Sequence, residues 1–178
     1  SVFVLCSNAF AEQGHHSAGF QMGQVGLLSD VGSLYGGAIG YGGYGHYAAS
    51  DWMEFELGFI TSHHVQNLLN LNQLAFNASL IYFFDEWGKF SPYFRGGFEF
   101  VTHSQDLLSP IAPASYSTNA FGFHIGLGGE YTLTKFLYLE ADLNYHNMFE
   151  ATVTPTGGAS TKTIQSYFTV LGRLGFRF

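Results

Sequence analysis

Leu137-Tyr138-Leu139-Glu140-Ala141-Asp142-Leu143-Asn144-Tyr145-His146 alternates strictly along its length. Leu137, Leu139, Ala141, Leu143 and Tyr145 share one face, and Tyr138, Glu140, Asp142, Asn144 and His146 share the other. A period of two marks a β-strand whose faces meet unlike surroundings. The sorting recurs in both directions. Met53, Phe55, Leu57 and Phe59 alternate with Glu54, Glu56 and Gly58. Leu74, Phe76, Ala78, Leu80, Tyr82 and Phe84 oppose Asn77 and Ser79. Phe94, Phe98 and Phe100 oppose Tyr93, Arg95 and Glu99. Phe121, Phe123, Ile125, Leu127 and Tyr131 oppose His124, Gly126, Gly128 and Glu130. From Lys162 onward, Phe168, Val170, Leu174, Phe176 and Phe178 oppose Thr169, Arg173, Gly175 and Arg177. No apolar face carries a charge.

Composition says which face is outside. The 178-residue chain is 47% hydrophobic, 18% aromatic and 11% charged, against about 25% charged in an ordinary soluble domain. Aromatic richness and low charge exclude intrinsic disorder. A membrane-spanning helix needs about 20 consecutive apolar residues, whereas the run Leu80–Phe84 is cut short by Asp85 and Glu86. A greasy chain without long apolar runs, sorted with period two, fits a transmembrane barrel with a polar interior.

Two upstream strands complete the count. Ser33–Tyr44 is glycine-rich, with Tyr35, Ile39 and Tyr41 on one face, and its glycines suit tight curvature or bulky lumen neighbours. Ser17–Leu28 alternates at Phe20 and Met22 and then slips near Gln24–Leu27, which reads as a bulge. With it the strands number eight, and even counts are the rule in single-chain bacterial barrels. The expected fold is all-β: an antiparallel up-and-down barrel with both termini periplasmic. Gly45–Ser50, Asp85–Lys89 and Thr132–Lys135 read as short periplasmic turns, and Ser29–Gly32 as a tight outer one. Val65–Asn72, Ser104–Ser117 and Asn147–Thr161 read as longer outer loops. Trp52, Phe84, Trp87, Phe90, Tyr131, Phe136, Phe176 and Phe178 then form an interfacial girdle at the periplasmic end.

Residues 1–11 read as the remnant of a signal peptide, with Val2-Phe3-Val4-Leu5 closing its apolar core and Ala9-Phe10-Ala11 as cleavage site. Residues 12–178 then form the barrel domain, and Cys6, the single cysteine, leaves with the signal.

The segments Tyr35-Gly-Gly-Ala-Ile-Gly-Tyr41, Ser91-Pro-Tyr-Phe-Arg-Gly-Gly-Phe98, Gly126-Leu-Gly-Gly-Glu-Tyr131 and Gly175-Phe-Arg-Phe178 resemble the eight-stranded OmpA/OmpX-type outer-membrane barrels. The resemblance implies an integral protein of the bacterial outer membrane, in contact with its lipid and lipopolysaccharide. It also implies that the alternating end, Val170 to Phe178, is the signal read by the outer-membrane insertion machinery. Arg173 stands where many such signals carry glycine. Members of the class include structural anchors, adhesins, small channels and lipid-modifying enzymes.

The inward charges are Glu54, Glu56, Glu99, Glu130, Glu140 and Asp142 against Arg95, Arg173 and Arg177. Eight strands enclose just enough space for side chains to fill, and buried charges require partners. The expectation is an ionic plug, with Arg173 near Glu140 and Asp142 and with Arg95 reaching Glu54, Glu56 or Glu99. The alternative is a narrow cation pathway, since acids outnumber bases. His63, His64, His103 and His146 read as polar rim residues, not as a metal site, because no H-x-x-x-H spacing links them. Lipid A deacylases of this fold carry a Ser/His/Glu set. His103-Ser104, His146 and Glu150 supply those types without the His-x-Ser spacing, so no catalytic residues and no cofactor are expected. A net charge of −7 argues against nucleic acid. A monomer touching an extracellular ligand through its loops is the resulting expectation.

Overall fold

The computed structural model describes residues 16–28, 37–66, 69–84, 87–107, 114–149, 151–153, 161–163 and 166–178. Its elements are all strands: β1 (His16–Leu27), β2 (Gly37–Ser50), β3 (Met53–Gln66), β4 (Leu69–Phe83), β5 (Phe90–Leu107), β6 (Ala114–Thr132), β7 (Leu137–Met148), β8 (Ala151–Val153), β9 (Thr161–Thr163) and β10 (Ser166–Arg177). Eight of them close a barrel in the order β1-β10-β7-β6-β5-β4-β3-β2, and β8 and β9 form a separate two-stranded ribbon. Every barrel pairing is antiparallel between chain neighbours, except that β7 pairs with β10 and β10 closes onto β1. Closure removes the unpaired edges that lipid does not tolerate.

The alternation sets the two surfaces. Leu57 is 71% exposed and Phe98 59%, while Glu56, Glu99, Glu140 and Arg173 are buried. Among barrel-strand residues with described side chains, no Asp, Glu, Lys or Arg faces outward. An apolar surface running round the whole barrel far exceeds what a soluble monomer exposes; here it is the lipid-facing wall.

One end carries the short turns. Asp51-Trp52 joins β2 to β3, and Leu133–Phe136 joins β6 to β7. Between β4 and β5, Trp87 and Phe90 exchange backbone hydrogen bonds around Gly88-Lys89. Gly88 has φ +73°, a conformation a tight hairpin imposes on its first central residue and glycine adopts without strain. Exposed aromatics crowd this end: Trp52 packs on Tyr82 at 5.4 Å and Trp87 on Phe90 at 6.3 Å.

Several boundaries differ from the sequence reading. Gly45–Ser50 is strand, not turn; β2 continues through it, with a register shift between Ala48 and Ser50. β1 carries no shift: its pairing with β10 is continuous from Ser17 to Leu27, and Gln24 stays on the outer face. Two outer connections are shorter than expected, and the last is longer, its barrel strand starting later than Lys162. β3 and β4 reach Gln66 and Leu69, β5 and β6 reach Leu107 and Ala114, and the last barrel strand begins at Ser166. The readings of residues 1–11, Cys6, the tight turn at 29–32, Tyr35, residues 108–113 and Glu150 lie outside the described residues.

Glycines shape the interior. The rings of Tyr138, Tyr93 and Tyr44 lie over Gly175, Gly128 and Gly19 of neighbouring strands, where a Cβ would collide with them. Gly175→Ala therefore displaces Tyr138 and costs about 1–3 kcal/mol of overpacking. Gly172→Ala, whose added carbon meets nothing nearer than the Met22 carbonyl at 3.8 Å, leaves stability unchanged. Urea unfolding of the two variants in vesicles measures the contrast.

Candidate functional site

Neighbouring strands bring one inward side chain after another into the lumen, and the chemistry changes with depth. Nearest the short turns, Arg177 pairs with Glu130 and stacks over the Tyr138 ring at 4.5 Å. Tyr138 shares a hydrogen bond with Ser17 at 2.8 Å.

A charged layer follows. Glu56 of β3 is held by Arg95 of β5 and Arg173 of β10. Arg95 also bonds Asp142 at 3.1 Å. Arg173 lies 3.1 Å from Glu140 and 3.4 Å from Asp142, with its guanidinium 3.7 Å over the Tyr44 ring. Asn77 donates to Glu56 at 2.9 Å, and Tyr93 donates to Asp142 at 3.3 Å. Both ring nitrogens of His46 face carboxylates, Glu54 at 2.9 Å and Glu56 at 2.7 Å. The doubly protonated imidazolium satisfies that arrangement. Glu56 thus gathers two arginines and a histidine from three other strands across the lumen.

Glu99 stands apart from this layer. It binds His146 Nδ1 at 2.8 Å and accepts from the Tyr167 hydroxyl at 2.8 Å, and Tyr167 stacks on His146 with centroids 4.1 Å apart. His146 Nε2 lies 3.1 Å from Thr169 Oγ1, and His124 Nε2 lies 2.9 Å from Ser79 Oγ. Beyond it Val25, Ile60, Leu71, Ala75, Val101, Ala120, Met148 and Leu171 form one buried apolar cluster, with Ser62, His64, Gln73 and His103 buried on the same strand segments.

The histidines do not form a polar rim. His64, His103 and His146 are buried inside the barrel, while His63 sits on the outer wall and bonds Asn72. The cause is strand parity, since adjacent residues point to opposite faces. The same parity sends Ser104 away from His103, so these two cannot act as a pair. Sequence reading missed Tyr44, at the end of an expected strand, and His46, which lies where a turn was expected. Their alternation with Gly43 and Gly45 was the available signal.

A closed barrel with a charged, filled interior and an apolar outer wall defines an integral outer-membrane β-barrel. The profile of the family described as "outer membrane protein beta-barrel domain" matches residues 1–171, and the chain belongs to this family. It is similar to the crystal structure of Neisserial surface protein A, with a TM-score of 0.72 at 15% identity over 92% of this chain and 97% of that one. It is also similar to the attachment invasion locus protein Ail of Yersinia pestis, with a TM-score of 0.62 at 15% identity over 93% and 99%. Outer membrane protein OprG of Pseudomonas aeruginosa gives a TM-score of 0.59 at 16% identity over 93% and 97%. Such identities carry the fold alone. No curated protein sequence matches the chain significantly.

Proposed function

We propose that this barrel is a closed, monomeric outer-membrane protein that acts through its extracellular loops, as a structural element or a surface-interaction partner, without catalysis. The filled lumen carries this reading. The Arg95–Glu56–Arg173 bridge crosses the lumen at one level, and the Ile60, Leu71, Val101 and Leu171 layer occupies it at another. Ions crossing the barrel would have to break the first and wet the second. The network residues Glu54, Glu56, Arg95, Glu99, Glu140, Asp142, Arg173 and Arg177 serve, on this reading, to hold the barrel shut and rigid. A crystal structure of Ail, similar at a TM-score of 0.57 and 13% identity, holds the heparin analogue sucrose octasulfate. That precedent supports an extracellular ligand at the loops. Lipid and lipopolysaccharide cover the wall, and the outward row Leu174, Phe176 and Phe178 engages the insertion machinery.

The surplus of carboxylates over arginines in the lumen favours a second reading, a passive path for cations. Planar-bilayer recording of the refolded protein separates the two. A silent bilayer, with insertion verified by protease protection, is expected. Reproducible steps with cation preference would replace the closed barrel by the channel.

A further inference from the structure

Glu99, His124 and His146 sit at inward positions of three adjacent strands, β5, β6 and β7. His124 and His146 are direct cross-strand partners, and Glu99 lies one inward position beyond Gly97, which faces His124. Each residue brings one donor atom to within 4.8 Å of the others. All three are more than nine-tenths buried, at 2%, 2% and 7% exposure. They line a cavity of about 20 Å³, room for one water or one ion. Glu99 Oε1, His124 Nδ1 and Asn144 Oδ1, all from residues lining that cavity, have no hydrogen-bond partner among the described residues.

We infer that Glu99, His124 and His146 form a buried site for a divalent transition-metal ion of the zinc type. Two imidazoles and a carboxylate are a ligand set that such ions favour over magnesium or calcium. Glu99 Oε1 is an obligate acceptor, and His124 Nδ1 becomes a second when an ion displaces its proton. His146 Nε2 faces Thr169 Oγ1 and His124 Nε2 faces Ser79 Oγ, and an ion takes the place of the proton that His146 Nδ1 shares with Glu99 Oε2. Tyr167 donates to Glu99 Oε2 and orients the carboxylate; partners of this kind tune metal affinity. Zinc ligands at about 2.0–2.2 Å require the donors to close by roughly an ångström, within the reach of imidazole rotation. Arg95 lines the same cavity, but Glu56 and Asp142 already hold its charge.

Ile60, Ala75 and Leu171 also line the cavity, so an ion enters during folding and leaves slowly. The test is to refold the chain with equimolar zinc chloride, dialyse against chelator and measure zinc per folded barrel. About one retained zinc per chain is expected, with two imidazoles in its first shell by zinc-edge X-ray absorption. His124→Asn and Glu99→Gln should each lower retention at least about tenfold, while His63→Asn and His103→Asn leave it unchanged. If one site variant does not fold, the other and the wild-type spectrum decide. No chelator-resistant zinc, a first shell without two imidazoles, or retention that follows His103 instead of His124 would overturn the site.

Discussion

Arg173→Met should be the most damaging substitution inside the barrel, costing about 3–5 kcal/mol of stability. Arg173 faces Glu56, Glu140 and Asp142 at once, and all four side chains are buried. The pairs themselves contribute little net stability, because bringing such charges out of water offsets most of their attraction. Removing the cation is different, since it leaves carboxylates facing one another with Arg95 as the remaining arginine among them. Methionine keeps much of the side-chain volume, so the loss reports charge and not a cavity. Adding Glu140→Gln to Arg173→Met should restore part of it, because one orphaned charge is then gone. Urea unfolding in vesicles measures all three proteins. A loss below about 1 kcal/mol for Arg173→Met, or no recovery in the double variant, would mean that the charged layer is hydrated and open. That outcome would favour the cation path.

The contrast between what the sequence displays and what it hides has physical causes. Where bilayer meets one face and the polar lumen the other, as from Leu137 to His146, every step of the strand changes environment and the period is plain. Toward the loop end this contrast fades. His63-His64 is polar on both faces, and Asn70-Leu71-Asn72 turns asparagine outward and leucine inward, so strands there look like loops. In the apolar lumen layer the opposite occurs. Phe59-Ile60, Phe100-Val101 and Val170-Leu171 are apolar on both faces, and the alternation vanishes into a hydrophobic run. Arg173 lies opposite Glu140 on the adjacent strand, a relation that antiparallel order alone supplies. Its contact with Glu56 links β10 to β3, which are not neighbours in the sheet. Only the diameter of the closed barrel brings those two together. The Glu99, His124 and His146 cluster stayed hidden because its residues come from three strands with no shared spacing.

Leu143→Arg should be the most damaging substitution on the outside, and depth is the reason. Leu143 is 55% exposed on the wall, with Leu127 and Val170 opposite it on the flanking strands. Four residues nearer the short turns, Leu139 pairs with Tyr131 and Leu174, beside the aromatic girdle. Arginine at the bilayer midplane of a barrel wall costs about 2–4 kcal/mol, and about 0–1 near the interface. Leu143→Arg should therefore approach the upper figure, and Leu139→Arg should cost less because its guanidinium reaches the headgroups. Glu140→Gln, one residue from Leu139 but facing the lumen, exchanges one hydrogen-bonding group for another beside Arg173 and should be milder than Leu143→Arg. Folding yield into vesicles, read as the fraction that resists protease, ranks the three. Equal yields for Leu143→Arg and Leu139→Arg would place the girdle elsewhere. Equal yields for Leu139→Arg and Glu140→Gln would contradict the division of β7 into a lipid face and a lumen face, on which the whole reading of the barrel depends.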